Sequence, residues 1–324
     1  MPKKAMRKRR TAPFLIATCV VLVVLCRALP ADAQTAAPPP SEKQQVLWMK
    51  LEKSILDIDR NLDGVLGVAI ADLTDGHHYL LHANDVFPQA SSIKICVLVE
   101  LYRQAQQGKL KLTDLYTVNA ADLVEDSDIM GGLTPGVTRV TLRDLATVMV
   151  AVSDNSATNV LIDRVGMDNV NAFLSAQGLT QTRLRRKMMD VKAAAEGREN
   201  VSTPSEMMKL LESIYRGEVL NREMTDDLFK VLSTHKASFI PRDLPDGLKI
   251  ANKPGELEGV RNDSGVIFVD KRPYALCVMT TYLRRERDGE EAISTISLAA
   301  WRMFDRLARA SEYGRVVSTA NTSR

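Results

Sequence analysis

The sequence predicts an α+β fold, an α/β sandwich whose antiparallel sheet is built from both chain ends, is flanked by helices and carries an inserted all-helical lobe. Strand-like runs lie near the beginning and in the last third, and apolar stretches of helical period fill the middle. No internal repeat competes with that order. For such a chain to bury its strands, the first and the last of them have to meet in one sheet.

Each element has its own justification. Residues 44–60 place Leu47, Leu51, Ile55 and Ile58 on one helical stripe. Two apolar runs, residues 65–70 and 79–81, flank Asp75-Gly76, a hairpin turn. A long apolar helix is predicted over residues 93–107, stopping before Gly108. Thr141-Leu142-Arg143-Asp144 caps another helix, which runs to Ser153-Asp154-Asn155. Thr203-Pro204-Ser205-Glu206 reads as a capping box with proline in the first turn, opening a helix to Arg216. Strands return at residues 248–252, 265–269 and 274–281. A last helix over residues 290–310 aligns Ile293, Ile296, Ala300 and Phe304.

The ends carry a different composition. Lys3, Lys4, Arg7, Lys8, Arg9 and Arg10 precede an apolar stretch from Phe14 to Cys26, too short to span a membrane comfortably, and Ala31-Asp32-Ala33 comes next. Residues 1–33 therefore read as a secretory signal peptide cleaved near Ala33, which implies a secreted or periplasmic protein with no stable membrane anchor afterwards. The leader holds seven Lys/Arg against one Asp, a net +6, so the formal charge of +3 becomes −3 without it. The basic character belongs to targeting, and a nucleic-acid partner loses its main support. Residues 34–44, with Pro38, Pro39 and Pro40, read as a disordered linker, residues 45–312 as one domain with two lobes, and residues 313–324 as a flexible tail. Cys96 and Cys277 each lie in an apolar run and are expected as buried free thiols. The protein is expected to be a monomer.

Three short motifs carry chemistry: Ser91-Ser92-Ile93-Lys94, Ser153-Asp154-Asn155 and Lys253-Pro254-Gly255. A lone S-x-x-K is weak, and Ser233-Thr234-His235-Lys236 matches it too. Context separates them. Ser91 stands where an extended Phe87-Pro88-Gln89 gives way to an apolar helix, with Lys94 one turn on along the same face. Ser233 ends a helix among polar residues. A serine hydroxyl needs a base within hydrogen-bond reach, and a lysine can serve when burial and neighbouring positive charge lower its pKa. Lys253 is a candidate for that neighbour.

In this order, S-x-x-K, S-D-N and a near-miss of K-T-G resemble the signature of class A β-lactamases and penicillin-binding proteins. The chain resembles a class A β-lactamase-like serine hydrolase over nearly all of its exported part. The resemblance implies that Ser91 is acylated with Lys94 as its base and that Ser153 shuttles a proton to the leaving nitrogen. It implies that Asn155, Lys253, Gly255 and Glu256 bind substrate, with the oxyanion resting on the backbone N–H groups of Ser91 and Glu256. Asp154 is expected to hold its loop.

Two positions depart from the pattern. Antibiotic-hydrolysing members carry a glutamate that activates the deacylating water, and across Lys187-Met188-Met189-Asp190-Val191-Lys192 the register puts Asp190 there. Asp190 is either a shortened base or a structural residue. Pro254 replaces the usual hydroxyl that helps bind a substrate carboxylate, and a proline is tolerated in a strand only at an edge or bulge. Arg261 is the candidate guanidinium to compensate. His77, His78 and His82 lack zinc-ligand spacing, so neither metal nor other cofactor is expected. Glu125, Asp126 and Asp128 read as a solvated loop. The expected function is hydrolysis of β-lactam amide bonds through an acyl-enzyme. The alternatives are a D,D-peptidase or esterase of the same fold and a silent protein that binds peptidoglycan fragments. In each case the partner is a β-lactam or peptidoglycan-derived small molecule.

Overall fold

A computed structural model of the chain describes residues 1–2, 41–311 and 313–316. The chain divides into two units, residues 1–36 and 37–324. Nearly all of the first, including the predicted signal peptide and its cleavage site, lies outside the described residues. Every helix and strand among the described residues belongs to the second unit.

That unit begins with α1 (Glu42–Asn61), opened by a complete capping box in which Ser41 Oγ accepts from Gln44 N and Gln44 Oε1 accepts from Ser41 N. Residues 42–44, predicted as linker, belong to this helix. The hairpin β1 (Val65–Asp72) and β2 (His78–Leu81) comes next, turning through Gly76 at φ 77°. A short β3 (Phe87–Pro88) and a 3₁₀ turn (Ala90–Ile93) lead into α2 (Lys94–Gln106). The lobe continues with β4 (Leu115–Thr117), β5 (Arg139–Thr141), α3 (Leu142–Ala151), α4 (Asn155–Val165) and α5 (Met167–Ala176). After a loop come α6 (Val191–Ala195), β6 (Val201–Ser202), α7 (Pro204–Tyr215) and α8 (Arg222–Leu232). The chain returns to the sheet with β7 (Ile250–Leu257), β8 (Val260–Ile267) and β9 (Tyr274–Thr281), then α9 (Glu286–Arg309).

The main sheet is antiparallel in the order β2-β1-β9-β8-β7, so the first and last strands do meet, with Val65 opposite Thr281 and Asp72 opposite Tyr274. Side chains alternate between its faces. Leu66, Val68 and Ile70 of β1 and Leu276 and Val278 of β9 join a core with Trp48 of α1 and Phe304 of α9. Tyr274 stacks on Phe304 with ring centroids 4.1 Å apart. The other face is small, with Ala69, Ala71, Ala275 and Cys277, and packs into the larger core of the helical lobe around α2. Cys96 and Cys277 are both buried and free.

Several boundaries moved. α9 starts at Glu286, before the predicted residue 290, and Gly289 lets its first turn lie close against the end of β9 and Leu283, since a Cβ there would lie 2.5 Å from Leu283 Cδ1 and 2.8 Å from Thr280 Oγ1. Only half of the α7 capping box forms. Thr203 Oγ1 accepts from Glu206 N, but the Glu206 carboxylate accepts instead from Gln181 N and Thr182 N. The predicted tail lies largely outside the described residues, and within it Val316 forms an antiparallel bridge with Ala310. No helix among the described residues is long and apolar enough to cross a membrane.

Candidate active site

All three motifs converge on one cavity of about 410 Å³ between the edge strand β7, the 3₁₀ turn and the helical lobe, with Ser91, Ser153, Asn155, Lys253 and Glu256 in its lining. Ser91 sits in the 3₁₀ turn, and α2 begins at Lys94, which is fully buried. The second motif is the junction of α3 and α4. There Ser153 adopts φ 59° and Asp154 caps α4 by accepting from Ala157 N. The other Asp154 oxygen accepts from Ile129 N and Met130 N, so this acid holds the loop, as expected.

Ser153 Oγ is the hub. It lies 2.9 Å from Ser91 Oγ, 3.0 Å from Lys94 Nζ and 3.1 Å from Lys253 Nζ. The hydrogen-bonded route from Lys94 to Ser91 therefore runs through Ser153. Lys94 Nζ also donates to the Ser153 carbonyl at 2.5 Å and to Asn155 Oδ1 at 2.9 Å. Those two acceptors take up both N–H groups of a neutral amine and leave its lone pair for the Ser153 hydroxyl. Burial holds the Lys94 pKa well below the lysine range, and the Lys253 charge lowers it further against the opposing Asp154 and Asp126. Burial also brings Lys253 down to about 7, with Asp263 opposing and Lys236 assisting.

The third motif is a strand, not a turn. Pro254 lies on β7 at the sheet edge, where a missing N–H is tolerated. Gly255, expected to bind substrate, does not line the cavity, because it faces the 3₁₀ turn instead. It lets β7 approach the 3₁₀ turn, since a Cβ there would stand 2.5 Å from the Gln89 carbonyl oxygen and 2.9 Å from Ser92 N. Ser92 Oγ donates to the Lys253 carbonyl at 3.1 Å and completes the junction.

Besides Gly255, Asp190 and Arg261 are predicted site residues that are not brought to the cavity. Asp190 is exposed and caps α6, accepting from Ala193 N at 2.9 Å. Lys192 is exposed on the same short helix. The preceding segment instead presents Arg186, Met188 and Met189 to the cavity, with no carboxylate among them. The cause is Asn159, whose amide accepts from Met188 N at 2.8 Å and donates to Met188 O at 3.1 Å, fixing which residue faces inward. Arg261 turns toward α9, where it pairs with Glu290 at 3.1 Å and donates to the Leu257 and Val260 carbonyls of the β7–β8 turn.

The cavity also holds residues that sequence reasoning passed over. Asp126 and Asp128 line it, although they had read as a solvated loop. Lys236 lines it too, from the S-x-x-K set aside as a nucleophile, and no spacing rule could have placed it there. Four of the seven non-glycine residues with positive φ among the described residues, Ala90, Asp126, Ser153 and Met189, lie on this cavity. Each such conformation costs about 1–3 kcal/mol and persists only where packing enforces it, a pattern typical of reactive sites.

A profile of the β-lactamase enzyme family matches residues 50–304. Curated relatives include β-lactamase OXY-2 of Klebsiella oxytoca, 27% identical over 82% of this chain and 93% of that protein. β-Lactamase CTX-M-8 of Citrobacter amalonaticus is 27% identical over 91% of this chain and 98% of its own. Among solved structures, a β-lactamase from Sphaerobacter thermophilus superposes with a TM-score of 0.72 and 30% identity, covering 79% of this chain and 97% of that one. PBP-A shares the fold with a TM-score of 0.72 and 24% identity over 83% of this chain and 99% of its own.

Proposed function

The chain belongs to the β-lactamase enzyme family, and from that premise we propose that it is a serine hydrolase acylated at Ser91 by β-lactams and slow to release the acyl group. The observation that carries the reading is the Ser153 hydroxyl between Ser91, Lys94 and Lys253. With Lys94 neutral, the donors reverse: Ser91 O–H gives its proton to Ser153 Oγ as the Ser153 proton passes to Lys94. Ser91 Oγ then bonds to the amide carbon, and the oxyanion rests on the N–H groups of Ser91 and Glu256, one such donor lowering the barrier by about 3 kcal/mol. The C–N bond breaks as the proton returns through Ser153 to the leaving nitrogen, leaving an ester on Ser91.

Release is the weak step in this reading, because water needs a base to attack that ester and the segment where the family carries its glutamate offers the cavity no carboxylate, those of Asp126, Asp128 and Glu256 entering from other segments. That observation also favours a second reading, a D,D-peptidase or esterase that reacts with β-lactams but scarcely turns them over. One experiment covers these readings. Penicillin followed by intact mass should give a single adduct on the Ser91 peptide, lost in Ser91→Ala, and a chromogenic cephalosporin should give a burst and a slow steady rate. A burst with no steady rate selects the second reading, absence of any adduct selects a silent binding protein, and an adduct that survives Ser91→Ala sinks the acylation scheme. We further propose export with removal of residues 1–33, supported by the basic, apolar and Ala31-Asp32-Ala33 series. N-terminal sequencing of the exported protein should begin near Gln34, and an intact Met1 would refute it.

A further inference from the structure

The cavity around Ser91 contains a cation that the acylation scheme leaves unused. Lys236, in the segment between α8 and β7, lines it together with Lys253, Pro254 and Glu256. Its ammonium donates to the Leu232 carbonyl at 2.8 Å, one of the three hydrogen bonds such a group can make. Asp263, the acid whose charge it feels, is engaged elsewhere. That carboxylate accepts from Phe239 N, Ile240 N and Asn252 Nδ2. Lys236 therefore keeps donor capacity and has no carboxylate partner among the described residues.

Pro254 supplies the other half of the argument. Beside Lys253 its ring offers no donor, so a carboxylate arriving there lacks one hydrogen-bond partner on the β7 side. Two lysines on one cavity wall repel each other, and an anion between them relieves that repulsion. We propose that Lys236 is a substrate-binding residue that joins Lys253 in holding the carboxylate of an anionic acyl substrate, supplying from the α8–β7 segment the donor that Pro254 lacks. The inference rests on the acylation of Ser91 proposed above.

The test compares two probes of the same serine by intact mass: benzylpenicillin, which carries a free carboxylate, and p-nitrophenyl acetate, a neutral activated ester. Because both report on Ser91, the ratio of their acylation rate constants is independent of any loss of folded protein. Lys236→Met should lower the penicillin-to-ester ratio about tenfold, the scale of one charge-assisted contact. Lys236→Arg, which keeps the charge, should restore most of it. An unchanged ratio in Lys236→Met overturns the assignment. So does a raised ratio, which would mean that Lys236 acts only by suppressing the charge of Lys253. An unmodified chain whose Ser91 takes the ester but no penicillin would instead refute the β-lactam reading, and this assignment with it.

Discussion

Lys94 and Lys253 are both buried, with the Ser153 hydroxyl between them, so their protons affect stability as well as chemistry. Lysines of the unfolded chain titrate at about 10.4, whereas burial brings folded Lys253 down to about 7. Between those values the unfolded state binds more protons than the folded one, so this lysine's contribution to stability rises with pH across the window, and its penalty is complete below it. Lys253→Met should stabilise the chain by on the order of a few kcal/mol near pH 6, with the gain shrinking toward about pH 10. Denaturant unfolding at both values would show it, and a pH-independent difference would refute it. The neighbouring loop makes a second residue-scale prediction. Asn is as good a helix cap as Asp, so Asp190→Asn should change steady-state turnover by less than about twofold, whereas Met188→Glu, which puts a carboxylate into the cavity, should raise it. A collapse of turnover in Asp190→Asn would restore that residue as the base. The register of this loop was not legible, because the signal that turns Met188 inward is a side chain 29 positions earlier, Asn159. Ser91, Lys94 and Ser153 were legible because their spacing fits local backbone geometry. Arg261 was not, because its guanidinium is claimed by Glu290.

At the scale of elements, the cavity depends on how closely β7 meets the 3₁₀ turn. Gly255→Ala would press a methyl group against the Gln89 carbonyl and Ser92 N, so the strand must shift. A displacement of about 1 Å at reacting atoms can cost on the order of 100-fold in rate. Acylation should therefore fall much further than thermal stability, and equal losses in both would argue that the glycine matters only for folding. Strong periodicity made the elements legible: the stripe of Ile293, Ile296, Ala300 and Phe304 is buried in α9 as predicted. The loop between α5 and α6 carries no period. Long-range partners shape it instead: Glu206 accepts from Gln181 N and Thr182 N, Asn200 Oδ1 accepts from Arg185 N and Arg186 N, and Arg183 bridges Val201. Glu206 was read as a capping partner for α7 and is spent on this loop instead.

Across the whole second unit, the sheet closes by pairing β1 with β9, more than half the chain apart in sequence. The same closure brings the first and last helices side by side, and Lys43 Nζ donates to the Tyr313 carbonyl at 3.2 Å. In a chain arranged this way, the order in which the polypeptide is read is separable from the architecture it forms. A short linker joining the start of α1 to residue 316, with new ends opened at the exposed Gly217 turn between α7 and α8, leaves every strand pairing and every residue around Ser91 in place. Such a circular permutant should fold and take up a penicillin at Ser91 at nearly the original rate, measured by intact mass. Loss of labelling in a permutant with native-like circular dichroism would show that the α7–α8 connection supports the cavity. Success would make the cavity portable, since a partner domain could then be grafted at Gly217, or at the old ends, without choosing between the two lobes.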